Sequence, residues 1–269
     1  MSDALLRAAT MKRDDLAQEL VDARLAGAQL AQPSERYEPF GLAEGYDVAD
    51  AVATRWRGLG SQPRGIKIAL TYRPLWAKIG LRHPVWAPVY AEGLAGGELA
   101  VADYVAPRIE AEVVVSLASS LQPGATRAEI ARAVESATLG FEIVDCHYPE
   151  WRLTPPDLVA DFGCQAGLML GAPVRIDGPG APDLSQVRIG LACDGEDVAN
   201  GSGLDVLDGP LSCLYELLSA PFAPTLQPGD LVATGSLTGR SHPVAAGQTW
   251  RITDVSSSRF ESCELKITP

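Results

Sequence analysis

The sequence predicts an α+β protein in which a helical N-terminal cap precedes a longer β-rich part. Apolar residues recur at helical spacing in residues 2–30 and 46–59, with good helix formers between them. After Pro63, short apolar runs alternate with glycine and proline, which is typical of strands joined by turns. We therefore expect a helical domain over residues 1–62 and a β-rich domain over residues 63–269.

Composition and charge exclude several classes of protein. The 269-residue chain is 46% hydrophobic and 21% charged, which is ordinary for a globular protein. A net charge of −12 without a Lys/Arg block argues against binding to nucleic acid or an anionic membrane surface. The five cysteines contain no C-x-x-C pair, so neither a disulfide framework nor a zinc knuckle is predicted. Without an apolar stretch near the N-terminus that resembles a signal peptide, we expect a soluble, cytoplasmic protein.

The clearest helical pattern in the β-rich part covers residues 121–140. Thr126 and Glu129 form a capping box, and Gly140 is a suitable end for the helix. The apolar stripe at helical spacing consists of Ile130, Ala133, Val134 and Ala137. The segments on either side, residues 83–98 and 146–158, are rich in proline and tryptophan and predict loops, the first of which could cover a pocket.

The remaining apolar runs predict strands and one more helix. We expect strands at residues 65–71, 107–115, 141–145, 187–191, 231–238, 249–255 and 260–267. A short helix is predicted over residues 209–220, and Asp47 is expected to cap the helix of residues 46–59.

The predicted strand at residues 107–115 carries two carboxylates in a run that is otherwise apolar. Side chains alternate along a strand, so Glu110 and Glu112 share one face. Buried like charges repel and lose solvation unless a cation lies between them, and a hard divalent ion such as Mg²⁺ or Mn²⁺ meets that need. The pair alone also fits a solvated strand face. Glu142, on the next acidic strand, can add a third carboxylate and favours the metal site.

One lysine lies among apolar neighbours in the predicted strand at residues 65–71. From this segment alone, the simpler interpretation is that Lys67 lies on the solvent face of an edge strand. A buried lysine near a metal site would instead need a fixed anionic partner or a depressed pKa. Both interpretations stay open at this point.

Six short motifs, in this order, resemble the fumarylacetoacetate hydrolase superfamily, in particular its 2-keto-4-pentenoate hydratase and 4-oxalocrotonate decarboxylase branch. They are G-I-K-I-A-L-T at 65–71, P-R-I-E-A-E at 107–112, F-E-I-V-D at 141–145, A-D at 160–161, P-G-D at 228–230 and T-G-S-L-T at 234–238. The resemblance implies mixed β-sheets rolled into a distorted barrel. It also implies that Glu110, Glu112 and Glu142 hold Mg²⁺ or Mn²⁺ in a β-rich catalytic domain.

The same resemblance implies a metal-dependent hydratase that adds water to a 2-hydroxypenta-2,4-dienoate-like 2-oxo-alkenoate in aromatic catabolism, giving a 4-hydroxy-2-oxo acid. Lys67 is then placed near the substrate, where it assists enol–keto proton transfer. Asp145 and Asp161 are catalytic candidates for orienting water or Lys67. Candidate substrate-binding residues are Thr71, Ser236 and Thr238.

Other activities and partners are compatible with the resemblance. The alternatives are decarboxylation of a 4-oxalocrotonate-like 2-oxo diacid, C–C hydrolysis of an acylpyruvate by a His147–Glu150 pair, and a catalytically silent partner subunit. A homo-oligomer is expected, with a complex between hydratase and decarboxylase as a further option. Residues 85–89 lack the acidic residue that hydratases often have there, and Asp161 is followed by Phe162 rather than asparagine.

Overall fold

The structure is a computed structural model that describes residues 12–90, 94–256 and 259–269, without the side chains of residues 94 and 95. The helices are α1 (Arg13–Ala26), α2 (Pro33–Arg36), α3 (Leu42–Gly58), α4 (Trp76–Ile79), α5 (Arg127–Ala133), α6 (Pro155–Ala160) and α7 (Pro210–Leu218). The first seven strands are β1 (Pro63–Ala69), β2 (Val85–Tyr90), β3 (Leu94–Ala95), β4 (Glu98–Ala100), β5 (Arg108–Leu117), β6 (Val134–Val144) and β7 (Gln165–Leu170). The remaining strands are β8 (Val174–Arg175), β9 (Arg188–Cys193), β10 (Glu196–Ser202), β11 (Leu231–Ser236), β12 (His242–Pro243), β13 (Thr249–Asp254) and β14 (Cys263–Thr268).

The N-terminal helices α1 and α3 pack on each other and on residues of the β-rich part. Their buried apolar side chains form one cluster with others from β2 and from residues 144–164, and this cluster consists of Leu16, Leu20, Val48, Val52, Tyr90, Tyr148 and Phe162 among others. Part of the first predicted helical stretch, residues 2–11, lies outside the described residues. None of the described helices has both the length and the apolar character needed to cross a bilayer. The domain division at residue 62 stays a prediction.

The helix predicted at residues 46–59 forms, but it begins earlier than expected. Gly41 is the N-cap of α3, and the Glu44 carboxylate accepts a hydrogen bond of 2.9 Å from the Gly41 N–H. The prediction that Asp47 caps this helix is therefore wrong, because Asp47 lies inside the helix. Glu44 satisfies one of the N–H groups that a helix start leaves without an intrahelical partner.

The larger sheet has nine strands, with β2-β1-β11-β5-β6-β7-β3 as its main order, β12 paired with β5, and β8 paired with β6. It is mixed, because β1–β11 and β3–β7 are parallel while β5–β6 is antiparallel. A second sheet has the order β10-β9-β13-β14-β4. In the described strands β2 and β3 end the main order without pairing with each other, so the sheet is open. The α+β class is confirmed, and the barrel that the resemblance implied is not closed.

The helix predicted over residues 121–140 forms only over Arg127–Ala133, and both ends of the prediction are wrong. Thr126 and Glu129 do form the capping box of α5, but the helix ends at Ala133 and β6 begins at Val134. From Val134 to Val144 the chain pairs with β5, and most of these residues are buried. Because a strand buried on both faces is apolar at nearly every position, its residues also fit a helical stripe.

Other predicted elements are confirmed or corrected as follows. Strands lie within or overlap the predicted segments 65–71, 107–115, 141–145, 187–191, 231–238, 249–255 and 260–267, and α7 lies within 209–220. The predicted loop at residues 83–98 contains β2, and the loop predicted at 146–158 contains the start of α6. Strand β10 was not predicted, because its sequence is largely polar and exposed.

Candidate metal centre

Three carboxylates meet on one face of the hairpin formed by β5 and β6. Glu110 and Glu142 are directly opposite each other across the two strands, and Glu112 follows two residues after Glu110 on the same face. One carboxylate oxygen from each residue lies within 4.8 Å of the others, the single such group of metal-binding side chains in the described part of the chain. Glu112 and Glu142 are fully buried, whereas Glu110 is partly exposed. The three acids predicted from the sequence are thus brought together.

Two oxygens of this cluster have neither a hydrogen-bond donor nor an ion-pair partner. Glu112 Oε2 accepts a 2.9 Å hydrogen bond from the Gly235 N–H, and Glu142 Oε1 lies 3.1 Å from Lys67 Nζ, but Glu112 Oε1 and Glu142 Oε2 are buried without a partner. Buried acceptors without a partner are costly and rare in native proteins. Oxygen donors that converge in this way suit a hard divalent cation, so these residues fit Mg²⁺ or Mn²⁺.

Burial and mutual repulsion disfavour the charged form of these acids. Burial raises the pKa of Glu112 well above its ordinary value, and the negative charges of Glu142 and Glu110 raise it further. Burial also raises the pKa of Glu142, to about 7, although Lys67 opposes this shift. The pKa of Glu110 is raised by burial too, and Lys67 and Arg108 lower it in part. A bound cation would remove this cost.

Lys67 is the cation nearest to the cluster. Its Nζ lies 3.1 Å from Glu142 Oε1, and the side chain is 3% exposed. Burial lowers the pKa of Lys67, but the charges of Glu142, Glu110 and Glu112 outweigh burial and raise this pKa above the ordinary value. Strand β1 lies between β2 and β11, so the interpretation of Lys67 as a solvent-facing edge residue is wrong.

Gly235 lets the backbone approach Glu112. It lies at an irregularity in the pairing of β11 with β5, with a φ of +109°. A Cβ added there would lie 2.3 Å from Thr71 Oγ1, so a side chain cannot fit unless Thr71 moves. Glycine therefore allows both the N–H contact to Glu112 and the close approach of Thr71, which is itself 8% exposed.

The three predicted substrate-binding residues have different surroundings. Thr71 and Ser236 both line a cavity of about 310 Å³ that reaches Lys67 and Glu110. Thr238 does not line it. Its hydroxyl lies 3.1 Å from both the Arg240 carbonyl and His242 Nε2, while Ser236 Oγ donates to the same carbonyl at 2.9 Å.

The two predicted catalytic aspartates lie in a separate buried network and do not line the cavity. Asp145 accepts hydrogen bonds from the N–H groups of residues 105 and 106. Asp161 lies 2.8 Å from His147 Nδ1 and 3.1 Å from Arg24 Nη2. Burial raises the pKa of Asp161, but the interactions with His147 and Arg24 outweigh it and leave this pKa below the ordinary value. Sequence reasoning missed Arg24, because nothing local relates it to a residue 137 positions away.

His147 and Glu150 do not form the pair considered for C–C hydrolysis. His147 is 2% exposed and is bound to Asp161, whereas Glu150 is exposed. The cavity wall instead contains apolar side chains that were not assigned to the site from the sequence, namely Leu75, Ile79, Val144, Trp151, Leu153 and Leu158. The sequence does contain one indication of this wall, because Trp151 and Leu153 are large apolar residues in a segment otherwise typical of an exposed loop.

Comparison with known proteins gives consistent matches. Residues 90–259 match the sequence model of the family described as "Fumarylacetoacetate (FAA) hydrolase C-terminal". The chain is 32% identical over 198 residues to 2-keto-4-pentenoate hydratase 1 of Dechloromonas aromatica (strain RCB). The aligned region covers 71% of this chain and 74% of the relative. It is 28% identical over 183 residues to 4-oxalocrotonate decarboxylase of Pseudomonas sp, covering 66% of this chain and 70% of the relative.

A solved structure shares the whole fold. It is 4-oxalocrotonate decarboxylase from Pseudomonas putida G7 complexed with magnesium and adipate, with a TM-score of 0.89 and 23% sequence identity. The superposition covers 96% of this chain and 99% of that chain. At this identity the likeness concerns the fold.

Proposed function

The chain belongs to the fumarylacetoacetate (FAA) hydrolase C-terminal family, and on this premise we propose that it is a divalent-metal-dependent hydratase. Its substrate would be a 2-oxo-alkenoate, and its product a 4-hydroxy-2-oxo acid. The observation that carries the proposal is the group of three carboxylates, two of whose buried oxygens lack a partner, beside Lys67 at a cavity. The hydratase relative supports the choice of reaction.

Glu110, Glu112 and Glu142 would hold Mg²⁺ or Mn²⁺. When bound, the ion supplies positive charge that offsets the negative charge developing on the 2-oxo oxygen of the substrate. The Gly235 N–H fixes one oxygen of Glu112, so that its other oxygen stays directed into the group. Because the ligand set is already converged, little reorganisation is needed on loading.

Lys67 would move the proton. Glu142 holds the ammonium in place, and its Nζ can donate a proton to the far carbon of the dienol while the enol oxygen returns one to the amine. Water then adds to the resulting conjugated ketone at C4. Thr71 and Ser236 line the cavity. The Thr71 hydroxyl can donate to the substrate carboxylate, whereas the Ser236 hydroxyl would first have to leave the Arg240 carbonyl.

Decarboxylation of a 2-oxo diacid is the second candidate. It needs the same charge stabilisation on the 2-oxo oxygen but no residue that activates water. This candidate is favoured by the fact that Asp145 and Asp161, the two residues expected to orient water, do not line the cavity. The predicted homo-oligomer, the partner complex and the role in aromatic catabolism stay predictions.

The test is to remove metal with a chelator, restore Mg²⁺ or Mn²⁺, and assay 2-hydroxypentadienoate, 4-oxalocrotonate and an acylpyruvate side by side. We expect metal-dependent hydration of the first. Turnover of 4-oxalocrotonate alone would establish the second candidate, and turnover of none would favour a silent partner subunit. Lys67→Ala should lower kcat by about a hundredfold or more while Mg²⁺ binding persists. Full activity in that variant would remove Lys67 from the mechanism.

A further inference from the structure

The cavity has a charged part and an apolar part. Lys67 and Glu110 belong to the charged part, and an apolar wall is formed by five lining residues from two segments. One segment surrounds α4 and contributes Leu75 and Ile79, and the other leads into α6 and contributes Trp151, Leu153 and Leu158. Leu75 is 41% exposed, and the other four are partly exposed. Apolar surface grouped around a cavity, rather than scattered singly, marks a binding surface.

Trp151 is fixed in this wall at a cost in backbone strain. Glu150 and Trp151 have φ values of 56° and 57°, a region that non-glycine residues rarely occupy. Two contacts hold the indole in place. Its Nε1–H donates to the Ala106 carbonyl at 3.2 Å, and the Arg108 guanidinium lies 4.2 Å from the ring centroid. The ring is therefore a positioned part of the cavity.

The cavity is poorly suited to a second carboxylate on the substrate. Among its described lining residues, Lys67 and Arg240 alone carry positive charge. Lys67 is already paired with Glu142, and Arg240 is exposed, where an ion pair contributes at most about 1 kcal/mol. Asp205 and Glu110 also line the cavity and would repel an anion. Arg108 contacts the Trp151 ring but does not line the cavity. A carboxylate placed against Leu153 and Leu158 would therefore lose hydration without a cation from the cavity lining beside it.

We propose that this wall is a tail subsite that selects 2-oxo acids with an uncharged, apolar tail beyond C4 over dicarboxylic 2-oxo acids, with Trp151 as the specificity-determining residue. The inference rests on the proposed function, because the 2-oxo acid end must bind at Glu110, Glu112 and Glu142. Each methylene buried against the wall tightens binding about fourfold, which corresponds to about 0.8 kcal/mol.

The test uses unreactive 2-oxoalkanoates, so that it does not depend on turnover. Titration calorimetry of the Mg²⁺-loaded protein compares 2-oxobutanoate, 2-oxohexanoate, 2-oxooctanoate and 2-oxoadipate. The last has the carbon count of 2-oxohexanoate with a carboxylate in place of the terminal methyl. We expect affinity to rise about 16-fold from 2-oxohexanoate to 2-oxooctanoate, and 2-oxoadipate to bind at least about tenfold more weakly than 2-oxohexanoate.

Two variants locate the effect. In Trp151→Ala, affinity should no longer rise with the chain length of the 2-oxoalkanoate, while the Kd values for 2-oxobutanoate and for Mg²⁺ change less than about twofold. Leu153→Ala, a smaller truncation in the same wall, should reduce the rise in affinity with chain length in part. It replaces Trp151→Ala in the test if that variant does not fold. Arg240→Ala is the matched control, and it should leave the ranking of the four ligands unchanged.

Failure of this inference can be told from failure of the proposed function. If Mg²⁺ and 2-oxobutanoate bind but the series is flat, or if 2-oxoadipate binds most tightly and loses affinity in Arg240→Ala, the tail subsite is refuted while the metal site stands. If neither Mg²⁺ nor any 2-oxo acid binds, the proposed function and the inference fall together.

Discussion

The substitution Glu112→Gln separates metal binding from the rest of the fold. The Glu112 side chain is completely buried, and its Oε2 accepts the Gly235 N–H, a bond that the amide oxygen of glutamine can keep. The new NH₂ group faces Glu142 and Glu110, which can accept from it. The variant thus keeps the shape of the site and removes one of its three charges.

Two opposite effects on thermal stability follow. Mg²⁺ at about 100 times its Kd stabilises the wild-type native state by about 2.7 kcal/mol. For 269 residues the unfolding entropy is about 0.56 kcal/mol/K, so Tm rises by about 5 °C. Glu112→Gln should reduce this rise to about 1 °C or less. Without metal, burial and the charges of Glu142 and Glu110 oppose ionised Glu112, so at about pH 8 the variant should melt at or above the wild type.

Thermal unfolding by circular dichroism, in EDTA and in MgCl₂, measures both effects. Glu98→Gln is the matched control, because Glu98 is an exposed strand glutamate of the five-stranded sheet and its loss should change neither value. The reasoning is refuted if Glu112→Gln keeps the full Mg²⁺-dependent rise. It is also refuted if the variant melts more than about 5 °C below the wild type in EDTA, since Glu112 would then stabilise the metal-free protein.

Three further predictions concern protons and packing. The pKa of Glu142 is raised to about 7, and the metal needs the ionised carboxylate. Mg²⁺ affinity should therefore fall up to about tenfold per pH unit below pH 7. Titration calorimetry that shows no pH dependence of Mg²⁺ affinity would contradict this. Asp161→Asn should cost up to about 3 kcal/mol in urea unfolding at neutral pH, because it removes the anionic partner of the largely buried Arg24, whose guanidinium keeps only carbonyl acceptors. Since the pKa of Asp161 is lowered by folding, this carboxylate stabilises the protein above its unfolded pKa, and the deficit should shrink as pH falls below about 4. Gly235→Ala should lower the free energy of unfolding far more than Gly247→Ala. Gly247 also has a positive φ, of +90°, but no atom lies within 4 Å of an added Cβ there, so equal losses in the two variants would remove the steric argument.

The carboxylate group could be predicted because it depends on a local rule. Alternation along a strand places Glu110 and Glu112 on one face whatever the rest of the chain does, and Glu142 needs only the neighbouring strand. The same rule could not orient Lys67, because burial depends on which strands flank β1. One of its neighbours, β2, is the next strand along the chain, but the other, β11, comes from a distant part of the sequence.

The errors have a common physical cause. Residues 134–137 fit a helical stripe, and only pairing with β5 decides that they form a strand. The position of Trp151 in the cavity wall likewise depends on backbone angles that local propensity disfavours and that contacts with Ala106 and Arg108 maintain. Where tertiary contacts override local preference, the sequence pattern alone predicts the wrong element or none.

The Arg24 contacts have a consequence for the order in which the chain folds during synthesis. Arg24 binds Asp161 and the carbonyl of Gln165, which are 137 and 141 residues further along the chain. At roughly 5–20 residues per second, the ribosome needs about 7–28 s to add that length. Helix α1 can meet α3 early, since both belong to the first 58 residues. Arg24 nevertheless gains its anionic partner only after the middle of the chain has been made, so this contact of the N-terminal helices forms later than their contact with each other.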